Sequence, residues 1–329
     1  MRNFILRRVF LGIFIIIFGA FAVYAVIRSL PTSYVETIAR QRASNPLSTK
    51  TYQQWLDQLN EVYGLNDGII PGFLRWGKNA VRGDFGESWH YGVPVTEKFN
   101  DVIGISLVVN VITLFVEVAI SIPLGILAAR KQYTATDYAI TVFALMGISL
   151  PTFFLATVLK YVFAIKLGWF PLYGLTGRFY TSMTPFMQLV DKGYHMILPI
   201  LTLMMLSVGS LMRYTRTNML EVLNSDYIRT ARAKGLPEKV VINKHAFRNT
   251  LIPLVTTMSG ILPSMFTGSQ ITETMFQIPG IGYISYQAMI RGDIPFAMFY
   301  LTFILVLTQV SLLVADIMYA VVDPRIRVN

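Results

Sequence analysis

The chain has 329 residues, 54% of them hydrophobic and 14% charged, which is too little polar surface to cover so much apolar side chain in a soluble domain. The net charge of +10 sits at the ends of apolar runs, which points to lipid headgroups and membrane topology and away from nucleic acid. There is no cysteine, hence neither a disulfide framework nor a thiolate metal site.

Arg2, Arg7 and Arg8 precede the charge-free run from Val9 to Ile27. That run exceeds a signal-peptide core of about 7–15 residues, and no small-x-small site follows it. Residues 1–30 therefore read as a retained first span. Residues 31–101 are polar, with nearly balanced acids and bases, and read as a small extracytoplasmic subdomain. Leu56, Leu59, Val62 and Tyr63 share one face of an amphipathic helix there, with Ser48 or Thr49 as its cap. Gly64, Gly68, Pro71 and Gly72 are expected to break it.

Further spans are predicted from Val102 to Ala129, Tyr138 to Leu159, His195 to Met212 (a short one), Leu251 to about Gln270, and Phe296 to Val322. Each approaches the roughly 20 apolar residues that a bilayer core requires. Trp169, Phe170, Pro171 and Tyr173 lie in an external loop, where aromatic rings suit the headgroup level. The stretch after the fifth span, ITETMFQIPGIGYISYQAMIRGDIP, is too polar and too broken to cross. In the short loops, Arg130, Lys131, Arg213, Arg216, Arg229, Arg232, Lys234, Lys239, Lys244, Arg248, Arg325 and Arg327 fall on the same side as the N-terminal arginines. Lys166, Arg178, Lys192 and Arg291 fall opposite. Both termini are then cytoplasmic. The fold class is an all-α membrane protein with six transmembrane helices. Residues 102–322 form a five-helix core carrying a cytoplasmic loop, 213–250, and residues 323–329 form a tail.

That loop is too elaborate for a connector. Asn224, Ser225 or Asp226 can cap a helix beginning at Tyr227. Tyr227, Ile228 and Ala231 are expected on one face, with Arg229 and Arg232 elsewhere. Gly235 supplies a left-handed C′ position and Pro237 follows, opening a second helix through Val240, Val241 and Phe247. The first helix has only about two turns and is marginal alone in water. It needs a packing partner.

Here the sequence resembles a known family. RTARAKG at Arg229 to Gly235 is similar to the EAA loop of ABC importer permeases. DYIRTARAKGL and HAFRNTLIP look like the B-type permease subunit of oligopeptide and dipeptide importers. RGDFGES at Arg82 to Ser88, QIPGIG at Gln277 to Gly282, and DPRIR at Asp323 to Arg327 agree. Arg229 and Thr230 replace the Glu and Ala of the general pattern, and SLPTSYVETI replaces a Pro-Gly-Asp-Pro-like turn after the first span. The resemblance implies a type I ABC importer permease fold in a prokaryotic cytoplasmic membrane. Asp226, Tyr227, Ile228, Arg229, Thr230, Ala231, Arg232, Ala233, Lys234 and Gly235 would dock in a cleft of a cytoplasmic ATPase. A small apolar face around Ala231 would allow close approach, and the arginines would meet acids on the partner. Implied partners are a second, homologous permease, two ABC ATPase subunits that bind ATP and magnesium, and an extracytoplasmic peptide-binding protein. No cofactor belongs to this chain itself. The bland alternative is a basic loop lying on anionic lipid.

Other residues carry two readings each. Glu117 lies mid-span, where a carboxylate is costly, with Asn110 and Thr113 on a similar face. It either lines the translocation pathway or is protonated or paired at a subunit interface. Glu273, with Pro279 and Gly280 of the PGIG turn, forms either an external gate or an ordinary tight loop. Lys160 reads as snorkelling or locally paired. GFLRWGKN at Gly72 to Asn79 narrowly misses a phosphate loop, lacking the magnesium-binding hydroxyl and a preceding strand. His90, His195 and His245 share no ligand spacing. The function expected is peptide import without enzymatic activity in this chain. The same machinery acting on nickel or another small solute is the first alternative, and a stand-alone secondary transporter the second.

Overall fold

The computed structural model describes residues 2–29, 34–44, 48, 50–62, 65–251, 261–267 and 269–322, and the described regular elements are helices. In chain order they are α1 (Arg2–Ser29), α2 (Tyr34–Ala43), α3 (Tyr52–Val62), α4 (Ile69–Ala80), α5 (Val95–Arg130), α6 (Ala135–Ser149) and α7 (Thr152–Leu159). There follow α8 (Pro185–Leu223), α9 (Asp226–Ala233), α10 (Glu238–Val240), α11 (Ile261–Thr267), α12 (Gln270–Phe276), α13 (Ile281–Ile290) and α14 (Ile294–Val322). Wider π turns prolong α7 over Lys160–Lys166 and α10 over Val241–Ala246. The chain divides into two compact units, Met1–Ile103 with Ile284–Leu313, and Gly104–Tyr283 with Val314–Val328.

In the first unit the polar segment holds three helices where one was expected. Val35, Ala39 and Leu59 form the small core of α2 and α3, with Leu56, Trp55 and Trp89 packed around it. Tyr63 and the side chain of Val62 lie outside the described residues. The cap of α3 differs from expectation. Thr51 and Gln54 cap reciprocally: the Gln54 amide donates to Thr51 Oγ1 at 3.4 Å, and the Thr51 amide to Gln54 Oε1 at 2.9 Å. Ser48 instead accepts from the Trp55 indole at 2.9 Å, and Thr49 lies outside the described residues. Pro71 and Gly72 do not end a helix either. Pro71 sits in the first turn of α4, where its missing N–H is not needed. Gly72 lies so close to the Tyr24 hydroxyl of α1 that the tyrosine would have to shift to admit a Cβ.

The RGDFGES motif ends in a dock. Ser88 Oγ and the His90 amide both donate to Oδ2 of Asp293, which is fully buried. Asp293 Oδ1 accepts from the Phe296 amide at 3.2 Å and so caps α14. One carboxylate thus fixes both the motif and the start of the last helix.

In the second unit α5, α6, α7 and α8 form a bundle. α6 and α8 meet backbone to backbone: a Cβ on Gly147 would strike the Met205 carbonyl, and one on Gly209 the Ala144 carbonyl. Small residues at crossing points are how helices approach closely in lipid. The expected third span is not one straight helix. α6 and the α7 rod meet at 105° across Leu150 and Pro151, because a residue before proline is driven to extended backbone. The expected short fourth span is instead α8, 39 residues or about 58 Å long, which carries the chain well past a bilayer core of about 30 Å. Its start is set by Thr184, which accepts from the Met187 amide, and by Pro185 at the first position. Lys160 does not snorkel. It donates to the Met275 carbonyl at 2.6 Å and so caps the C-terminus of α12, with its charge 5.5 Å from the Phe276 ring centre.

Four described helices are long and apolar enough to cross a membrane: α1 from Leu6, α5, α8, and α14 to Val314. They become five if the bent α6–α7 pair counts as one span. Residues 252–260 of the expected fifth span lie outside the described residues.

Candidate functional site

The first candidate is the short helix α9. It follows α8 after a tight turn through Asn224 and Ser225. Ser225 occupies the cap position, but its hydroxyl donates back to the Val222 carbonyl at 2.6 Å and makes no cap bond. Gly235 ends the helix at φ +71°, a conformation that side chains disfavour. Pro237 stands at the N-cap of α10.

The packing partner that α9 requires is in the same chain. Ile228 and Ala231 are buried together with Ala129 of α5, Met219 of α8, and Val241, Ile242 and Ala246 of the π turn. This corrects two expectations. Tyr227 does not share that face, since it is 47% exposed. The apolar face around Ala231 is also unavailable to a partner, because the chain's own helices cover it. What α9 offers outward is Asp226, Tyr227, Arg229, Thr230, Arg232, Ala233, Lys234 and Gly235, all exposed. The expected loop also starts later: Arg213 to Leu223 continue α8.

Two ion pairs shape this region. Arg232 Nη2 meets Glu238 Oε1 at 2.8 Å, linking α9 to α10. The Arg232 hydrogen bond holds the Glu238 carboxyl below its usual range and raises the guanidinium in turn. Arg229 and Asp226 stand 3.5 Å apart, almost wholly in solvent. Arg130, Gln132, Asn224, Arg232 and Glu238 line a hollow of about 320 Å³ beside α9. Sequence reasoning missed the Arg232–Glu238 link, although the six-residue separation across a Gly-Leu-Pro turn was its available signal.

The second candidate is a cavity of about 400 Å³ within the second unit. Asn110, Thr113 and Glu117 of α5 line it together, as their spacing on one helix face requires. Leu203 and Ser207 of α8 and Ser264, Met265, Thr267 and Ser269 complete it. Ser207 faces the same cavity as Glu117, its hydroxyl donating to the Met204 carbonyl at 3.4 Å, and the Asn110 amide donates to the Met265 carbonyl at 3.0 Å. Ser207 shares its apolar run with Thr202 and Ser210, where hydroxyls read as helix packing, so local sequence does not mark it.

Glu273 is elsewhere and has a different task. It is 2% exposed. Oε1 accepts from Ser106 Oγ at 2.7 Å and from the Ser269 amide at 3.3 Å, and Oε2 from the Tyr283 amide at 2.9 Å. Ser106 Oγ in turn accepts from the Ile281 amide. The carboxylate therefore ties α5 to the PGIG turn and to the start of α13. Gly280 presses on it, and a Cβ there would lie 2.6 Å from the Glu273 carboxyl carbon. Burial pushes the Glu273 carboxyl above its usual range, and these hydrogen bonds only partly offset that. Pro279 lies within this turn.

Gly72 to Asn79 lie inside α4, whose regular helical backbone leaves no loop to cradle a phosphate. Among the described residues, no group of three or more His, Asp or Glu converges on a metal-sized site.

Comparison with known proteins places this architecture. The family described as "binding-protein-dependent transport system inner membrane component" matches residues 121–328. The oligopeptide transport system permease protein AppB of Bacillus subtilis (strain 168) is 36% identical over 327 residues, covering 99% of each chain. The probable peptide ABC transporter permease protein y4tP of Sinorhizobium fredii is 32% identical over 328 residues, covering 99% of this chain and 100% of the relative. The dipeptide transport system permease protein DppB of Alkalihalophilus pseudofirmus is 32% identical over 343 residues, with the same coverage. The membrane-length helices, the helix-turn after α8 and this full-length similarity agree, and the chain belongs to the family of binding-protein-dependent transport system inner membrane components.

Proposed function

We propose that this chain is the B-type permease subunit of an ATP-driven importer of oligopeptides or dipeptides. Six spans cross the cytoplasmic membrane of a prokaryote, with both termini inside. Residues 31–101 face outward, and 102–322 form the core that carries the coupling segment and ends in the tail 323–329. A second, homologous permease pairs with it, and the peptide passes between the two. Two cytoplasmic ABC ATPases hold ATP and magnesium, so this subunit hydrolyses nothing itself. An extracytoplasmic binding protein delivers the peptide.

The observation that carries this reading is α9. It is fixed to α5, α8 and the π turn by Ile228 and Ala231, yet turns an exposed aromatic and basic face outward. A force applied to that face reaches α5 and α8, two of the membrane-length helices, without slack. Asn110, Thr113 and Glu117 border the pathway, and Glu273, Pro279 and Gly280 brace the turn that gates its outer end. Co-purification with the candidate ATPases, followed by ATP-dependent uptake of labelled dipeptide into vesicles holding the whole complex, tests the proposal. Uptake of labelled nickel in place of peptide would move the substrate assignment. Solute movement by the purified permease alone would overturn the coupled mechanism.

A further inference from the structure

The cavity around Glu117 has a chemistry more specific than a passage requires. Among the described residues that line it, Glu117 is the one ionisable group, and no Lys, Arg or His balances it. The other polar lining is neutral hydroxyl and amide. Thr113, one turn before Glu117, donates its proton to the Val109 carbonyl at 2.8 Å, which leaves its oxygen as an acceptor. A carboxylate and a hydroxyl oxygen on one helix face make an acceptor pair without a cation of its own. About 400 Å³ holds roughly a dozen waters, enough for one residue of a peptide, and falls within the usual range of ligand cavities. A carboxylate inside a membrane segment marks a functional site by default because of its cost.

We propose that Glu117 receives the free α-ammonium group of the transported peptide, with Thr113 and Ser207 as neighbouring polar contacts. The ammonium brings three donors and the missing positive charge. A peptide carboxylate would be repelled by Glu117, so the amino terminus is the end that pauses here. The proposal rests on the peptide reading given under Proposed function and adds to it the group that is recognised.

The test uses the complete complex in vesicles and two labelled dipeptides that differ only in N-acetylation. The binding protein's own preference is common to all variants, so a change in the ratio of the two uptake rates reports the permease. Glu117→Gln is expected to lower uptake of the free-amine peptide by about tenfold, the scale of one lost charge-assisted hydrogen bond, and to leave the acetylated peptide unchanged. Glu117→Asp should restore part of the preference. It carries the test if the Gln variant fails to assemble. An unchanged ratio, or an equal fall for both peptides, would overturn the role of Glu117 while leaving peptide import standing; equal falls would fit burial of Glu117 against the second permease. If the unaltered complex moves neither peptide, the substrate reading fails first and takes this proposal with it.

Discussion

Arg216 of α8 grips Asp137 of α6 with both ends of its guanidinium, Nε to Oδ1 at 2.7 Å and Nη2 to Oδ2 at 2.8 Å. The Asp137 side chain is 3% exposed and that of Arg216 is 25% exposed. Asp137 Oδ2 also accepts from the amide of Tyr133, which holds a left-handed φ of 62°. The pair therefore closes the α5–α6 turn and anchors it to α8.

Losing one partner of a buried pair leaves an uncompensated charge and typically costs about 3–5 kcal/mol. Arg216 keeps some solvent, so Asp137→Asn is expected to cost less, about 2–3 kcal/mol. Thermal denaturation of the purified protein in detergent should show a clear fall in midpoint. Arg216→Lys should fall nearly as far, since an ammonium cannot reproduce the two parallel bonds. No change in either variant would mean that the pair contributes nothing to the bundle.

The α6–α8 crossing makes a second demand. Gly147 and Gly209 each face a carbonyl of the opposite helix, and backbone cannot rotate aside as a side chain can. Gly209→Val should separate the helices, with an overpacking cost at or above about 1–3 kcal/mol. Paired cysteines placed across the crossing would read the separation as slower disulfide formation. Gly77, around which an added Cβ meets nothing within 4 Å, is the control, and Gly77→Ala should leave disulfide formation across the crossing unchanged.

Much of this was legible from composition and local chemistry. The apolar runs, the Gly235 stop and the helix between Asp226 and Ala233 follow from hydropathy and turn residues, which act over a few positions. What sequence could not supply was which face of α9 is covered. Ile228 and Ala231 are spaced as well for a foreign cleft as for their own chain, and it is Ala129, Met219, Val241, Ile242 and Ala246 that decide it. Likewise Lys160 and Met275, or Ser88 and Asp293, lie more than a hundred residues apart, and no local pattern pairs them. α8 runs beyond the expected span at both ends, because Pro185 to Tyr194 and Arg213 to Leu223 continue the helix without a lipid-like composition.

That distinction yields a test of coupling. Ala231 is 7% exposed and Ala233 is exposed, though both lie on one short helix. Ala231→Trp should break the internal packing and lower thermal stability. Ala233→Trp should leave stability unchanged and weaken co-purification with the ATPases, as should Tyr227→Ala. If Ala233→Trp and Tyr227→Ala both retain full ATPase binding and transport, the outward face of α9 is not the docking surface.

Glu273 and Glu238 respond to pH in opposite senses. Burial raises the Glu273 carboxyl in the folded protein, so the folded state holds its proton more tightly than the unfolded chain does. Its contribution is fully present below the unfolded carboxylate range and is lost as pH rises through the raised folded value. Glu238 is lowered by its Arg232 bond, so its contribution is present above the ordinary range and is lost as pH falls through the depressed value. Glu238 and Arg232 are both about half exposed, so the acid-side effect should be under about 1 kcal/mol and should shrink in high salt. Glu273→Gln keeps an acceptor for the Tyr283 amide and cannot ionise. It should therefore flatten the loss of stability as pH rises, while Glu238→Gln should leave that side untouched and remove the small salt-sensitive loss at low pH. Denaturation midpoints for the three proteins, measured from acid to mildly alkaline pH at two salt concentrations, would separate the two groups. A wild-type profile unchanged by Glu273→Gln would show that the buried carboxyl titrates alike in the folded and unfolded chains.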